Sequence, residues 1–396
     1  MIFDFNPYDR KLHDNPYPVY SRLRNEEPVY YNEDRDFWVV SRYQDVKTVI
    51  QNPEIYSSSK GIAIELDSNG RAIKDHDYIL KPLIMMDPPQ HTGLRRLVQR
   101  AFTNRRIAQL EDVIRKLAVE LIEPFKNKGQ CELVSEFAGS FPVSVISDML
   151  GCDPGHRVMF KEVAGQLVEK MGTDIAGSER LIMGLCGVLN QVVEDRKENP
   201  LDDIISVLVN SEVEGEAITD QDLYAFVFLL LVAGSETTTN LLTNAFLIMD
   251  KQPEIREALI EDPSKIPQAV EEFVRFDSPA QGLARSTTKE AVLGGVTIPA
   301  GEQLLILFGS ANRDGEQFED PDKFILGRKD NNHIAFGFGV HFCMGANLAR
   351  LEAKVALEEL LRVMPDFKIN HEDSRRLHAG AIRGMASLPL SFSVRH

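Results

Sequence analysis

The chain has 396 residues, 43% of them hydrophobic and 26% charged, a globular composition with enough apolar residues for a large core. Its formal net charge of −16 argues against a general binder of nucleic acid or of anionic membranes. Cys131, Cys152, Cys186 and Cys343 are scattered without CxxC spacing, so neither a zinc site nor a disulfide framework is expected.

Residues 1–7 lack a basic segment followed by an apolar one, so no signal peptide is expected and the protein is expected in the cytoplasm. A helix is expected at 16–25. Strands at 28–31 and 37–41 flank Asn32-Glu33-Asp34 and predict a hairpin. A short helix from Asp45 ends before Asn52-Pro53. Residues 56–86 read as a long irregular loop, and such loops in compact proteins are commonly functional. A basic helix follows, with Arg95, Arg96, Arg100, Arg105 and Arg106 on it or just after it. Such a run is equally the pattern of a solvated face.

Apolar periodicity predicts helices at 107–127, 143–150, 153–170, 178–197 and 201–210, with Gly129, Gly151 and Gly172 as stops. Thr219 and Asp222 form a capping pair ahead of the longest helix. That helix is apolar on nearly all sides, which places it at the centre of the fold. Its centre carries Ser235-Glu236-Thr237-Thr238-Thr239-Asn240, a polar block that argues against a membrane span. Helices at 253–261 and 266–276 follow. Gly294-Gly295 between 291–293 and 296–298 predicts a tight hairpin. A strand at 303–308, a polar meander at 311–335, a last helix to about 364 and an edge strand at 388–394 containing Pro389 complete the chain. One helix-rich domain over 1–396, mainly α with small β-sheets, accounts for the pattern.

Three constellations carry chemistry. Phe336-Gly337-Phe338-Gly339-Val340-His341-Phe342-Cys343-Met344-Gly345 sets one cysteine in a glycine-dense turn just before a helix. Glycine lets a flat partner approach the backbone, and a helix N-terminus favours a thiolate. A lone cysteine can equally be a small buried hydrophobe. In the long helix, Ala233-Gly234-Ser235-Glu236-Thr237-Thr238 puts a carboxylate and hydroxyls where polar groups are costly unless paired or used. Thr237 and Thr238 can also satisfy themselves on carbonyls one turn back, with Glu236 meeting a base elsewhere. Glu272 and Arg275 sit at i, i+3 on one helical face, a spacing that also occurs in ordinary surface ion pairs.

Together and in this order, these segments resemble the cytochrome P-450 family: the F-G-x-G-x-[HR]-x-C-x-G loop, the [AG]-G-x-[DE]-T-[TS] helix motif and ExxR. The resemblance implies the family fold, a triangular helix-rich domain with haem between the long central helix and the cysteine loop. It implies haem b as cofactor, Cys343 as the iron ligand, and Ala233, Gly234, Phe336, Gly337 and Gly345 packed around the haem. His91, Arg95, Arg285 and His341 fall where propionate partners lie. Thr237 would hold dioxygen and its water, Glu236 would relay protons, and Gly234 would leave room for the ligand. Glu272 and Arg275 would brace the meander, with Arg328 as the third member. The substrate pocket would draw on Ile84, Met85, Leu229, Leu230, Ala233, Gln281, Leu283 and Ile382, mostly apolar, which suits a terpenoid, steroid, fatty acid or polyketide.

The expected activity is insertion of one oxygen atom of dioxygen into such a molecule, by hydroxylation or epoxidation. No flavin or iron–sulfur motif is present, so electrons are expected from a separate ferredoxin and its reductase, docking by Arg96, Arg100, Arg105 and Arg106. The chain is expected to be monomeric. A peroxide-driven oxygenase on the same fold is an alternative against which the Glu236-Thr237 pair speaks. A haem or gas sensor without catalysis is another, and a proton relay exceeds what sensing needs.

Overall fold

The computed structural model describes residues 4–213 and 216–394, and of Arg100, Val213 and Glu216 only the backbone. Helices dominate, and the longest, Asp220–Lys251, runs through the core. Thr219 caps it by accepting the Asp222 N–H at 3.1 Å. Helices Phe141–Met149, Arg157–Lys170 and Ala346–Val363 pack against it. Among the described residues it is the one helix long and apolar enough to cross a membrane, and 67% of its apolar window is buried in the protein.

A five-stranded sheet flanks the helices. Its strand order is Val29–Asn32, Phe37–Val40, Gln303–Ile306, Leu283–Thr287 and Tyr56–Ser57. All neighbours are antiparallel except Gln303–Ile306 with Phe37–Val40. The glycine pair forms the expected hairpin, with φ of 56° at Gly294 and 82° at Gly295, values that only glycine adopts freely. Helices Pro253–Glu261 and Ile266–Phe276 fall on the expected boundaries.

Two expectations need correction, and two elements were not anticipated. The helix expected at 107–127 is two, Asn104–Gln109 and Glu111–Ile122, broken at Leu110. Residues 134–138 form a π-turn, Val134–Ala138, that no period-3.6 pattern signals. The segment at 388–394 holds a central strand, not an edge strand: Pro389–Ser391 lies between Lys368–Ile369 and Gln130–Glu132. Pro389 opens the strand, where its missing N–H costs no ladder bond, and its carbonyl still accepts from Asn370 at 2.9 Å. Gln130–Glu132 itself is only three residues long, too short for its alternation to stand out, and was not anticipated.

Glu272 and Arg275 form a buried hub rather than a surface pair, both 0% exposed. The Arg275 guanidinium donates twice to Glu272, at 2.8 Å each, and Arg328 Nε donates to the same carboxylate at 3.0 Å. Arg275 then reaches the carbonyls of Asn312 at 2.8 Å, Pro321 at 2.9 Å and Lys323 at 3.1 Å. The irregular segment 311–335, which leads into the cysteine loop, is tied to the helix by these bonds.

Candidate active site

Cys343 lies on the loop before helix Ala346–Val363, where Gly337 and Gly339 take φ of 70° and 67° and fold the chain back. Its N–H donates to the Phe336 carbonyl at 2.8 Å. The residue is exposed, yet enough protein surrounds it that burial pushes the thiol up. Accessible and enclosed together, it lines an internal space. The Gly345 N–H, Arg95 and Arg350 act in the opposite direction and favour the thiolate.

Ala233 is exposed in the middle of the central helix, among neighbours that are mostly buried. Thr237, one turn on, is half-buried and donates to the Ala233 carbonyl at 2.7 Å. Thr238 faces the other way, onto Glu352. Glu236 Oε1 lies over Gly165 of helix Arg157–Lys170, 3.7 Å from where a Cβ would stand. Lys161 and Glu169 flank Gly165 one turn to either side. Burial, then the Glu169 charge, raise Glu236 to about 7, against the pull of Lys161. Burial also lowers Lys161, whose ammonium donates to the Ser135 carbonyl at 2.7 Å and to Ser140 at 3.0 Å.

His91, Arg95, Arg285 and His341 gather into one cluster. The His91 and His341 rings are 4.3 Å apart between centroids. His91 is 1% exposed and neither ring nitrogen has a hydrogen-bond partner. His341 Nε2 meets Ser58 Oγ at 3.2 Å. Arg285 is buried and donates only to the Ala284 carbonyl, at 2.7 Å. Arg95 donates to the Phe342 carbonyl at 2.5 Å. Burial and then the neighbouring Arg95 hold His91 near 4. Burial, Arg285, His91 and Arg95 hold His341 near 3, and burial lowers Arg285 to about 10. The acid bearing on this cluster is Asp87, whose carboxylate already accepts the Ser58 N–H at 2.9 Å. Buried cations and idle donors without a paired acid make a receptor for anionic groups. The site therefore fits a flat dianionic cofactor lying between Cys343 and Ala233.

Of the other expected residues, Phe336, Gly337, Gly345, Ile84, Leu229, Leu283 and Ile382 keep part of their surface, while Met85 and Leu230 are buried. One expectation fails. Gly234 leaves room for a helix rather than a ligand, since a Cβ there would stand 3.0 Å from Ile146 Cδ1 of Phe141–Met149. Gln281 is buried and lines a small cavity together with Ile382. Its amide donates to the Ser278 carbonyl at 2.7 Å and its oxygen presses on Gly309. The Thr238–Glu352 contact was not anticipated, because nothing in either segment names its partner.

Comparison with known proteins gives concordant results. Residues 178–378 match the cytochrome P450 family model. Cytochrome P450 107B1 of Saccharopolyspora erythraea is 35% identical over 397 residues, covering 98% of this chain and 97% of the relative. Vitamin D(3) 25-hydroxylase of Pseudonocardia autotrophica is 36% identical over 389 residues, covering 96% and 94%. The structure of CYP109Q5 from Chondromyces apiculatus superimposes with a TM-score of 0.89 at 36% identity, over 100% of both chains. With the cysteine loop, the acid–threonine helix and the anion receptor in place, the chain belongs to the cytochrome P450 family of haem-thiolate monooxygenases.

Proposed function

We propose that the chain binds haem b through the Cys343 thiolate and hydroxylates or epoxidises a lipophilic molecule of steroid or secosteroid size. The observation that carries this is the receptor of His91, Arg95, Arg285 and His341, with His91 and Arg285 buried and both His91 ring nitrogens unpartnered, beside an accessible cysteine. The four side chains would hold the two propionates. Haem so held would activate dioxygen, and a thiolate ligand favours cleavage of its O–O bond.

Per turnover, one substrate, one dioxygen, two electrons and two protons give one oxygenated product and one water. Glu236 is suited to supply protons, because a carboxyl near 7 both holds and releases one at neutral pH. The Thr237 hydroxyl, anchored on the Ala233 carbonyl, can pass a proton without leaving its place. Glu236 would in turn be resupplied with protons from solvent by way of the exposed Glu169. The apolar side chains of Phe228, Val232, Leu167, Val168, Leu181 and Ile382 pack together over this face and would exclude bulk water while admitting an apolar substrate. The kinship with a vitamin D(3) hydroxylase supports that substrate class.

Electrons would come from a ferredoxin and its reductase. Arg96, Arg105 and Arg106 are exposed and would steer an acidic partner, while the Arg100 side chain lies outside the described residues. Replacing two of these arginines by glutamate should slow electron transfer at low salt, and unchanged kinetics would refute the docking face. A monomeric, cytoplasmic enzyme accords with this scheme. The reduced, carbon monoxide-bound spectrum is the direct test. A strongly red-shifted Soret band is expected, and Cys343→Ser should abolish it. An unshifted band in the wild type would refute thiolate ligation.

A further inference from the structure

The N-terminal segment reaches the pocket mouth. Tyr8, half-buried, donates its hydroxyl to the Ile64 carbonyl at 2.6 Å. It packs closely against two glycines far away in sequence. A Cβ on Gly172 would stand 1.6 Å from the Tyr8 hydroxyl, and one on Gly380 would stand 2.6 Å from Cε1. Gly172 sits in the turn between helices Arg157–Lys170 and Ile175–Glu198, and its carbonyl accepts the Leu66 N–H at 3.3 Å. One side chain thus joins segments 62–66, 171–173 and 379–382, which form no common sheet or helix.

Beneath the ring is a small cavity lined by Tyr8, Ile64, Val168, Met171, Ala379 and Ile382. Val168, Ala379 and Ile382 also belong to the apolar cluster that contains Val232 and Phe228 of the central helix. Val232 precedes the exposed Ala233. The cavity beneath Tyr8 thus borders a packed apolar cluster that extends to Val232 and Phe228 of the central helix, the route an apolar ligand would take inward. Burial and the nearby Glu65 raise the Tyr8 phenol well above its ordinary range, so it stays a neutral donor at any working pH.

We propose that Tyr8 is a specificity-determining residue, a clasp whose ring closes this apolar route and so sets the size of substrate admitted and the rate at which it enters and leaves. The proposal rests on the reading of the inner space as a substrate pocket. One neutral hydrogen bond and contact with two glycines hold the ring. That is weak enough for the clasp to open on the microsecond-to-millisecond scale of enzyme lids.

The test uses full-length haem-loaded wild type, Tyr8→Phe, Tyr8→Ala and Gly380→Ala, the last displacing the ring from outside. Stopped-flow association of imidazole and of the bulkier phenylimidazole with the ferric haem is the first readout. Tyr8→Ala and Gly380→Ala should accelerate phenylimidazole by at least about fivefold and leave imidazole unchanged, with Tyr8→Phe between them and the wild type. Equal phenylimidazole rates in all four proteins would overturn the clasp. Amide hydrogen exchange is the second readout. It should rise together in 62–66, 171–173 and 379–382 in the two alanine variants, and no rise would also overturn it. If Tyr8→Ala does not fold, Tyr8→Phe and Gly380→Ala decide by the same criteria. Failure of thiolate ligation would appear in the wild-type carbon monoxide spectrum. It would leave the exchange result to judge the clasp on its own.

Discussion

Thr238 Oγ1 donates to Glu352 Oε2 at 3.0 Å, linking the centre of the central helix to the helix that leaves the cysteine loop. Glu352 is 1% exposed and its other oxygen has no partner. Burial raises it from 4.5 to about 8, with Thr238 opposing. The folded state therefore holds a proton here that the unfolded chain gives up. Stability from this group is fully present below about pH 4.5 and is lost as pH rises through about 8. Glu352→Gln should remove that dependence and stabilise the protein at pH 8 by on the order of 3 kcal/mol. Thermal melts of both proteins across that pH range check this, and parallel curves would contradict it.

The hub predicts the opposite sign. Glu272→Ala strands Arg275 and Arg328 without their shared carboxylate in the interior. The expected loss is about 3–5 kcal/mol in denaturant titration. Glu272→Met combined with Arg275→Leu should recover part of it, because two apolar groups leave fewer uncompensated charges.

Haem retention should report on the anion receptor. Arg285→Met should raise the rate of haem transfer to apomyoglobin about tenfold, equivalent to about 1.4 kcal/mol of lost charge-assisted bonding. His91→Leu should act in the same direction. Unchanged transfer in both would show that the propionates lie elsewhere.

Product coupling should depend on pH through Glu236. The carboxyl is raised to about 7, so the protonated donor is depleted above that value and coupling should fall as pH rises through it. Glu236→Gln should lose this limb and reduce product formation by about 100-fold, with electrons diverted to peroxide. Thr237→Val should divert electrons similarly while keeping the pH limb.

Gly234→Ala tests the packing seen at the central helix. The added methyl would meet Ile146 Cδ1 at 3.0 Å, so a cost of about 1–2 kcal/mol is expected. Ile146→Val in the same chain should restore most of it, whereas a ligand-side role would leave that second change without effect.

Much of the site was legible because its pieces are local. The cysteine loop, the acid–threonine turn and the Glu272/Arg275 pair each lie within one short segment, and Arg328 was expected only through the family resemblance. What escaped depends on partners distant in sequence. Pro389–Ser391 reads as an edge strand until Gln130–Glu132 pairs with it. The direction of Gln281 is decided by the Ser278 carbonyl and by Gly309. Thr238 reads like Thr237 until Glu352 faces it, and nothing around Tyr8 announces two glycines from other parts of the chain. Local pattern gives an element and its apolar face; which polar group ends up opposite which is fixed only when the elements pack.

The Arg275 and Arg328 forks grip carbonyls, among them those of Asn312, Pro321 and Lys323, and not the side chains beside them. Every residue type presents the same carbonyl. The route of the chain into the cysteine loop is thus held at Pro321 and Lys323 by bonds that do not depend on the side chains there, while Asn312 and Asn331 also use their own, toward Ser278 and Glu272. Loops of this kind can drift in sequence, acquiring new surface charge or a new docking preference, without moving the sulfur that follows them.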